Sequence, residues 1–232
     1  HSEDRIFQAY TVIKSPGIPE TIPLILDLKK KGIPVISEIE FAAQYTESKI
    51  IAITGSNGKT TTTLLIGHML KKAGYDVGVA GNVGDSFALQ VATNPHDIYV
   101  LELSSFQLDG IVNFKPNIAI LLNITPDHLD RYNNDMKNYI ESKFKISMNQ
   151  QNNDFFIYCS DDQNIQEDIQ KTRAQKLPFS IKSNHQLGAS LIDDELIINA
   201  DNKPFNMNIQ QLALQGKHNI YNSMAAAISG RI

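Results

Sequence analysis

At 232 residues, with 42% hydrophobic and 20% charged side chains, the chain can close one large or two small cores without staples. Its single cysteine, Cys159, excludes an internal disulfide and suits a reducing cytoplasm, and its apolar runs are strand-sized, too short for a membrane helix. A net charge of −4 with no basic block argues against nucleic acid as a partner.

The first 48 residues carry two strand signals, YTVIKS and IPVISE, around a helical IPLILDLKKKG. The first strand runs into a turn at Ser15-Pro16-Gly17. This is a piece of an α/β unit, too small for its own core. From 49 to 160, KIIAIT, YDVGVAG, IYVLELS, NIAILLNI and DFFIYCS alternate with helical segments, which predicts a doubly wound parallel sheet. From about 176 to 214 short strands and turns (LIDDELIIN, NKPFNMNI) predict a small antiparallel sheet, and KHNIYNSMAAAIS a closing helix.

The stretch Gly55-Ser56-Asn57-Gly58-Lys59-Thr60 is a phosphate-loop pattern with an unusual spacing. The common form is G-x-x-x-x-G-K-[ST], and here only Ser56 and Asn57 separate the glycines. Its setting is nonetheless right. KIIAIT before it is a β-branched run of strand length, and Ile66, Met69, Leu70 and Ala73 after it form a helical stripe that ends at Gly74. A strand-to-helix turn presents amides and the positive end of a helix dipole to an anion. Lys59 would neutralise terminal phosphates and Thr60 would reach Mg²⁺.

Open parallel sheets bind ligands at the carboxyl ends of their strands. Those ends supply Asn82 after YDVGVAG, Glu102, Ser104 and Gln107 on IYVLELSSFQ, and Asp127 and His128 on NITPDHLDRY. Each admits a plainer reading. Glu102, between two leucines, needs a cation if buried, either Mg²⁺ or an ion-pair partner. TPDH reads as a helix start with Thr125 as N-cap, Pro126 in the first turn and Asp127 on the dipole, which leaves His128 for the site. Asn82 also suits a turn. Asn219 and Asn222 share a helical face, as a site pair or as a polar helix start. Lys143 lies on the apolar stripe Met136, Ile140 and Phe144, either turned inward or with its ammonium at the rim. Lys137 and Lys145 fall off that stripe and are expected in solvent.

The short loop, LELSSFQL, NITPDHLDRY and GKHNIYN, in this order, resemble the Mur ligase family, ATP-dependent amide-forming enzymes of peptidoglycan synthesis. That family's central domain carries a G-[ST]-x-G-K-[ST] loop, which accounts for the spacing. LELSSFQ is similar to the branch that adds D-glutamate, and VIKSPGIP to the uridine-diphosphate end of its first domain. The resemblance spans nearly the whole chain. It implies that residues 1–48 close a UDP-binding, Rossmann-like domain and that 49–232 form the central ATP domain, with most of the first domain and all of a third absent.

The resemblance further implies a monomeric cytoplasmic enzyme that joins D-glutamate to UDP-N-acetylmuramoyl-L-alanine, with ATP and two Mg²⁺ ions. Ser56, Asn57, Gly58, Lys59, Thr60, Thr61, Thr62, Asn219 and Asn222 would hold ATP. Thr60 and Glu102 would hold one Mg²⁺, and His128 with Lys143, modified by CO₂ to a carbamate, would serve the other. Asn82, Ser104 and Gln107 would contact the muramoyl substrate, and Ser15, Pro16 and Gly17 the uridine diphosphate. The rival expectations are another ligase of the same or folylpolyglutamate type, a nucleotide-binding module without ligase activity, and a small-molecule kinase. Amide formation with D-glutamate separates the first reading from the last two.

Overall fold

The computed structural model describes residues 3–201 and 203–232; Asn202, at the head of the NKPF segment, lies outside them. The N-terminal piece runs α1 (Glu3–Ile6), β1 (Val12–Ile13), α2 (Pro23–Lys30) and β2 (Val35–Ile36), with β1 and β2 paired in parallel. Ile25, Leu28 and Ile36 bury here, outside the main core. The next helix, α3 (Glu38–Ala43), is already stitched to the larger body. Its Ile39 and Ala42 join that core, and the buried Glu40 carboxylate accepts the backbone N–H groups of Val112, Asn113 and Phe114.

The larger body alternates strand and helix as the sequence predicts: β3 (Lys49–Thr54), α4 (Lys59–Lys72), β4 (Val77–Gly81), α5 (Phe87–Thr93), β5 (Ile98–Glu102), α6 (Ser105–Leu108) and β6 (Ile118–Leu121). It continues through α7 (Met136–Phe144), β7 (Phe155–Cys159), α8 (Gln163–Asp168) and β8 (Gln175–Ser180). The strands β9 (Gly188–Ile192), β10 (Glu195–Asn199) and β11 (Phe205–Asn208) precede the closing helix α9 (Lys217–Ser229).

All nine strands form one sheet in the order β11-β10-β9-β8-β7-β6-β3-β5-β4. The pairs from β4 through to β9 are parallel, and only β9–β10 and β10–β11 are antiparallel. This modifies the reading of 176–214. The short strands do not make a separate sheet; β8 continues the parallel ladder and the antiparallel hairpins extend its edge.

In β3 every residue but Lys49 is buried, which is why that strand reads as an unbroken apolar run. The chain moves outward from β3 to β4, returns to β5, then crosses to β6 on the other side of β3. Right-handed crossovers therefore set α4 on one face and α5, α7 and α8 on the other. The reversal around β3 is the switch point where such sheets open a crevice at their carboxyl ends. α4 begins there, with α9 packed beside it. It ends at Ala73 before Gly74, as expected, although Ala73 itself is exposed.

Candidate active site

The loop 55–58 turns sharply out of β3, and Gly58 caps α4 at φ +85°. A side chain at Gly58 would strain the left-handed backbone and push Asn222 aside, so loop and α9 meet at a point that favours glycine. Lys59 Nζ folds back and donates to the carbonyls of Gly55 and Ser56, both at 2.9 Å. Burial lowers the Lys59 pKa, against the pull of Glu102 and Asp127.

Thr60 Oγ1 donates to Glu102 Oε2 at 2.7 Å, and Asn82 Nδ2 donates to Oε1 at 2.8 Å. Glu102 is only 2% exposed. The buried carboxylate, expected to need a cation, is held here by two neutral donors, one from the first turn of α4 and one just after β4. Thr61 is half-buried, whereas Thr62 is fully buried with its hydroxyl unpartnered, so the Thr62 side chain offers no surface to a nucleotide.

After β6 the expected helix start at Thr125 is absent. His128 takes a left-handed conformation (φ 50°, ψ 32°) and precedes a short 3₁₀ turn, Leu129–Tyr132. The reason is tertiary. Ser56 Oγ accepts from Thr125 N–H, Asp162 Oδ2 accepts from Ile124 N–H, and Asn164 Nδ2 donates to the Ile124 carbonyl. The Thr125 carbonyl, which as an N-cap would accept the first helical bond, instead accepts from Ser56 Oγ at 2.8 Å, so no first turn closes on it. His128 remains exposed, its ring against Phe106 at 5.4 Å.

Lys143 is turned inward. It is 2% exposed, donates to the Gly55 carbonyl at 2.9 Å, and stands 4.6 Å from the centre of the Tyr139 ring. Burial first, then the neighbouring Lys59 charge, lower its pKa to about 7. The rim-lysine alternative is excluded by this burial. Lys137 is exposed as expected, but Lys145 is not free in solvent; it pairs with Asp109 at 2.9 Å.

Asn222 Nδ2 donates to Asn219 Oδ1 at 3.2 Å, and Asn222 lines a cavity of about 550 Å³ with Asn57, Gly58, Asn123, Asp162 and Tyr221. The structure thus gathers Lys59 and Lys143 on the Gly55 carbonyl, Thr60 and Asn82 on Glu102, and Asn222 against Gly58, all about the one loop.

Ser104 and Gln107 have a structural duty. Ser104 caps α6 and Gln107 Oε1 accepts from the Ser104 N–H, a full capping box. Ser15-Pro16-Gly17 lies apart, in a turn whose Gly17 and Pro16 carbonyls face Arg131 at 3.4 and 3.5 Å.

Asn123, Tyr139, Asp161 and Asp162 were missed by the sequence reading. Tyr139 OH lies 3.1 Å from Ser56 Oγ, and Asp161 accepts from Tyr221 OH at 2.8 Å. The strand-end rule that found Glu102 would have found Asp161 and Asp162, which follow β7 directly.

The donor set fits a hard cation. Thr60 and Glu102 offer paired oxygens beside the phosphate loop, and Mg²⁺ takes few protein ligands, keeping waters and substrate phosphates for the rest. Among the described residues no three acidic, histidine or cysteine side chains form an all-protein cage.

Residues 53–230 match the family model described as Mur ligase middle domain. The chain is 53% identical to the UDP-N-acetylmuramoylalanine--D-glutamate ligase of Christiangramia forsetii, a match covering 100% of this chain and 53% of that protein. It is 54% identical to the protein of the same name from Bacteroides fragilis, over 100% of this chain and 52% of the other. The chain thus spans about half the length of the curated relatives it matches. Among solved structures, a UDP-N-acetylmuramoyl-L-alanyl-D-glutamate--2,6-diaminopimelate ligase superposes with a TM-score of 0.66 at 20% identity, covering 90% of this chain and 53% of that one. A MurF ligase from Thermotoga maritima in complex with ADP gives 0.60 at 17% identity, covering 96% and 54%. Such low identities show the fold alone.

Proposed function

The chain belongs to the Mur ligase family, and from that premise we propose that the whole protein joins D-glutamate to UDP-N-acetylmuramoyl-L-alanine with cleavage of ATP. The observation that carries this reading is identity above one half, along the entire chain, to ligases named for that reaction. The rest is chemistry. A carboxylate is a poor electrophile because its leaving group is oxide. Transfer of the γ-phosphoryl group to the alanyl carboxylate gives an acyl phosphate. The amine of D-glutamate then attacks the carbonyl carbon, loses a proton and expels phosphate.

The barrier is the approach of two anions, so positioning and charge neutralisation dominate. Lys59, half-desolvated and resting on carbonyls, is poised to exchange them for phosphate oxygens. Thr60 and Glu102 would hold Mg²⁺, which when bound offsets phosphate charge. Lys143, as a carbamate, and His128 would serve a second ion. The lowered Lys143 pKa favours the neutral amine that reacts with CO₂. Ser56, Asn57, Gly58, Thr61, Asn219 and Asn222 would line the nucleotide. Asn82, beside Glu102, and Ser104 and Gln107, on the capped turn of α6, would meet the muramoyl substrate. Ser15 to Gly17 would meet the uridine diphosphate.

Residues 1–48 read as the end of the UDP-binding domain and 49–232 as the central ATP domain. The reaction is placed in the cytoplasm as part of this proposal; among the described residues no helix is long and apolar enough to cross a membrane. A monomer suffices for this chemistry. The test is phosphate release by the full-length protein. It should require ATP, D-glutamate and the UDP-linked substrate together and yield the UDP-muramoyl dipeptide by mass. Phosphate release indifferent to D-glutamate, with no amide formed, would sink the proposal.

A further inference from the structure

The phosphate loop has two residues between its glycines where the common pattern has four, so it has less of its own chain to shape an amide cradle. Its polar groups are bonded instead to the segment that follows β6. Asn123 Oδ1 accepts from the Asn57 N–H at 2.8 Å, and Asn123 Nδ2 donates to the Asn57 carbonyl at 2.9 Å. The Asn123 carbonyl accepts from the Ser56 N–H at 2.9 Å. Ser56 Oγ donates to the Thr125 carbonyl and accepts from its N–H. A carboxamide carries one acceptor and a donor side by side, so Asn123 pairs with Asn57 as the backbone of a neighbouring strand would.

The close approach extends along the loop. A Cβ at Gly55 would stand 3.0 Å from Leu122 Cβ and 3.3 Å from the Asn123 backbone nitrogen. The gripping segment is itself fixed from behind, where Asp162 and Asn164 hold Ile124 N–H and carbonyl at 2.7 and 2.8 Å. Asn57 spends its amide on this clamp, which leaves the first amides of α4 as the loop's free donors.

We propose that Asn123 is a positioning residue for nucleotide binding: its carboxamide stands in for the two missing loop residues and holds the short loop open for phosphate. The inference rests on the reading of this loop as the ATP site. In the full-length protein, Asn123→Ala is expected to weaken ADP–Mg²⁺ binding, read by calorimetry, by about tenfold or more. KM for ATP should rise in step, with kcat at saturating ATP and affinity for the UDP-linked substrate little changed. A residue that only supported folding would lower the active fraction and leave KM for ATP alone.

Unaltered protein that binds no ADP would overturn the reading of the loop itself. Unaltered protein that binds, beside a folded Asn123→Ala variant that binds equally well, would overturn the clamp and leave that reading intact. Should the variant not fold, amide hydrogen exchange on the unaltered, nucleotide-free protein decides. The Asn57 amide is expected to be protected despite its exposed position, and exchange at the rate of a free loop amide would refute the clamp.

Discussion

Two lysines share one carbonyl, and their environments give them different work. Lys59 rests on the Gly55 and Ser56 carbonyls beside Glu102, and Lys143 reaches Gly55 from α7. Replacing Lys59 with alanine in the full-length protein should abolish phosphate release without unfolding it, because a charge-assisted phosphate contact in a desolvated site is worth several kcal/mol. Release within about threefold of the unaltered rate, less than one kcal/mol, would remove Lys59 from the mechanism. Lys143→Ala should also inactivate, and added short carboxylates should restore part of the activity by standing in for a carbamate. Near-normal activity of Lys143→Ala in CO₂-depleted buffer would contradict that role.

Lys143 also carries a pH signature. Its pKa falls from 10.5 in the unfolded chain to about 7 when buried. Between those values the unfolded state binds a proton that the folded state does not, so stability rises with pH across this window. Lys143→Met should therefore stabilise the fold most below about pH 7 and progressively less toward pH 10, as urea melts at several pH values would reveal. An advantage independent of pH would mean that the amine is not buried in the neutral form.

At the scale of elements, a strand, a turn and a helix were legible because each follows from local pattern. The run Ile50–Ile53 in KIIAIT is unbroken and apolar since both faces of β3 are covered, and Gly58 stands where a left-handed residue begins α4. The false helix at TPDH shows where local pattern fails. Its residues suit a helix cap, but Ser56 Oγ takes the Thr125 carbonyl that the first helical bond would need, and Asp162 and Asn164 pin Ile124 just before it. None of these partners is near in sequence. The opposite lesson comes from Ser104 and Gln107, whose S-x-x-Q spacing is itself a local signal of the capping box they form.

Gly58→Ala tests the junction of the loop with α9. The left-handed backbone should cost about 1–2 kcal/mol with a side chain present, and the added methyl group should displace Asn222 from the cavity wall. Weaker nucleotide binding together with a lower melting temperature is expected. A variant matching the original in both would show that loop and helix do not meet as described.

At the scale of the molecule, alternation of strand and helix revealed a parallel sheet, yet not its extent. A short strand followed by tight turns looks the same whether it pairs within a hairpin or continues a ladder. The pairing of β8 with β7, and then of β9 with β8, decides that the hairpins extend the main sheet. The crevice was legible because strand ends in sequence become neighbours in space, while the clamp by Asn123 depends on contacts that no spacing encodes. The present chain covers about half the length of its relatives, and the reaction is proposed for the whole protein. It should bind ATP–Mg²⁺ weakly and form no amide, since near-attack alignment of three substrates needs the whole enclosure. UDP-muramoyl dipeptide made by this chain alone would refute that.

The central claim is that this crevice activates a carboxylate by phosphoryl transfer, and isotope transfer tests it most directly. With oxygen-18 in the alanyl carboxylate of the UDP-linked substrate, the full-length protein should release inorganic phosphate carrying one heavy oxygen for each amide formed, because the bridging oxygen of an acyl phosphate departs with the phosphate. Amide formation with unlabelled phosphate would contradict the account.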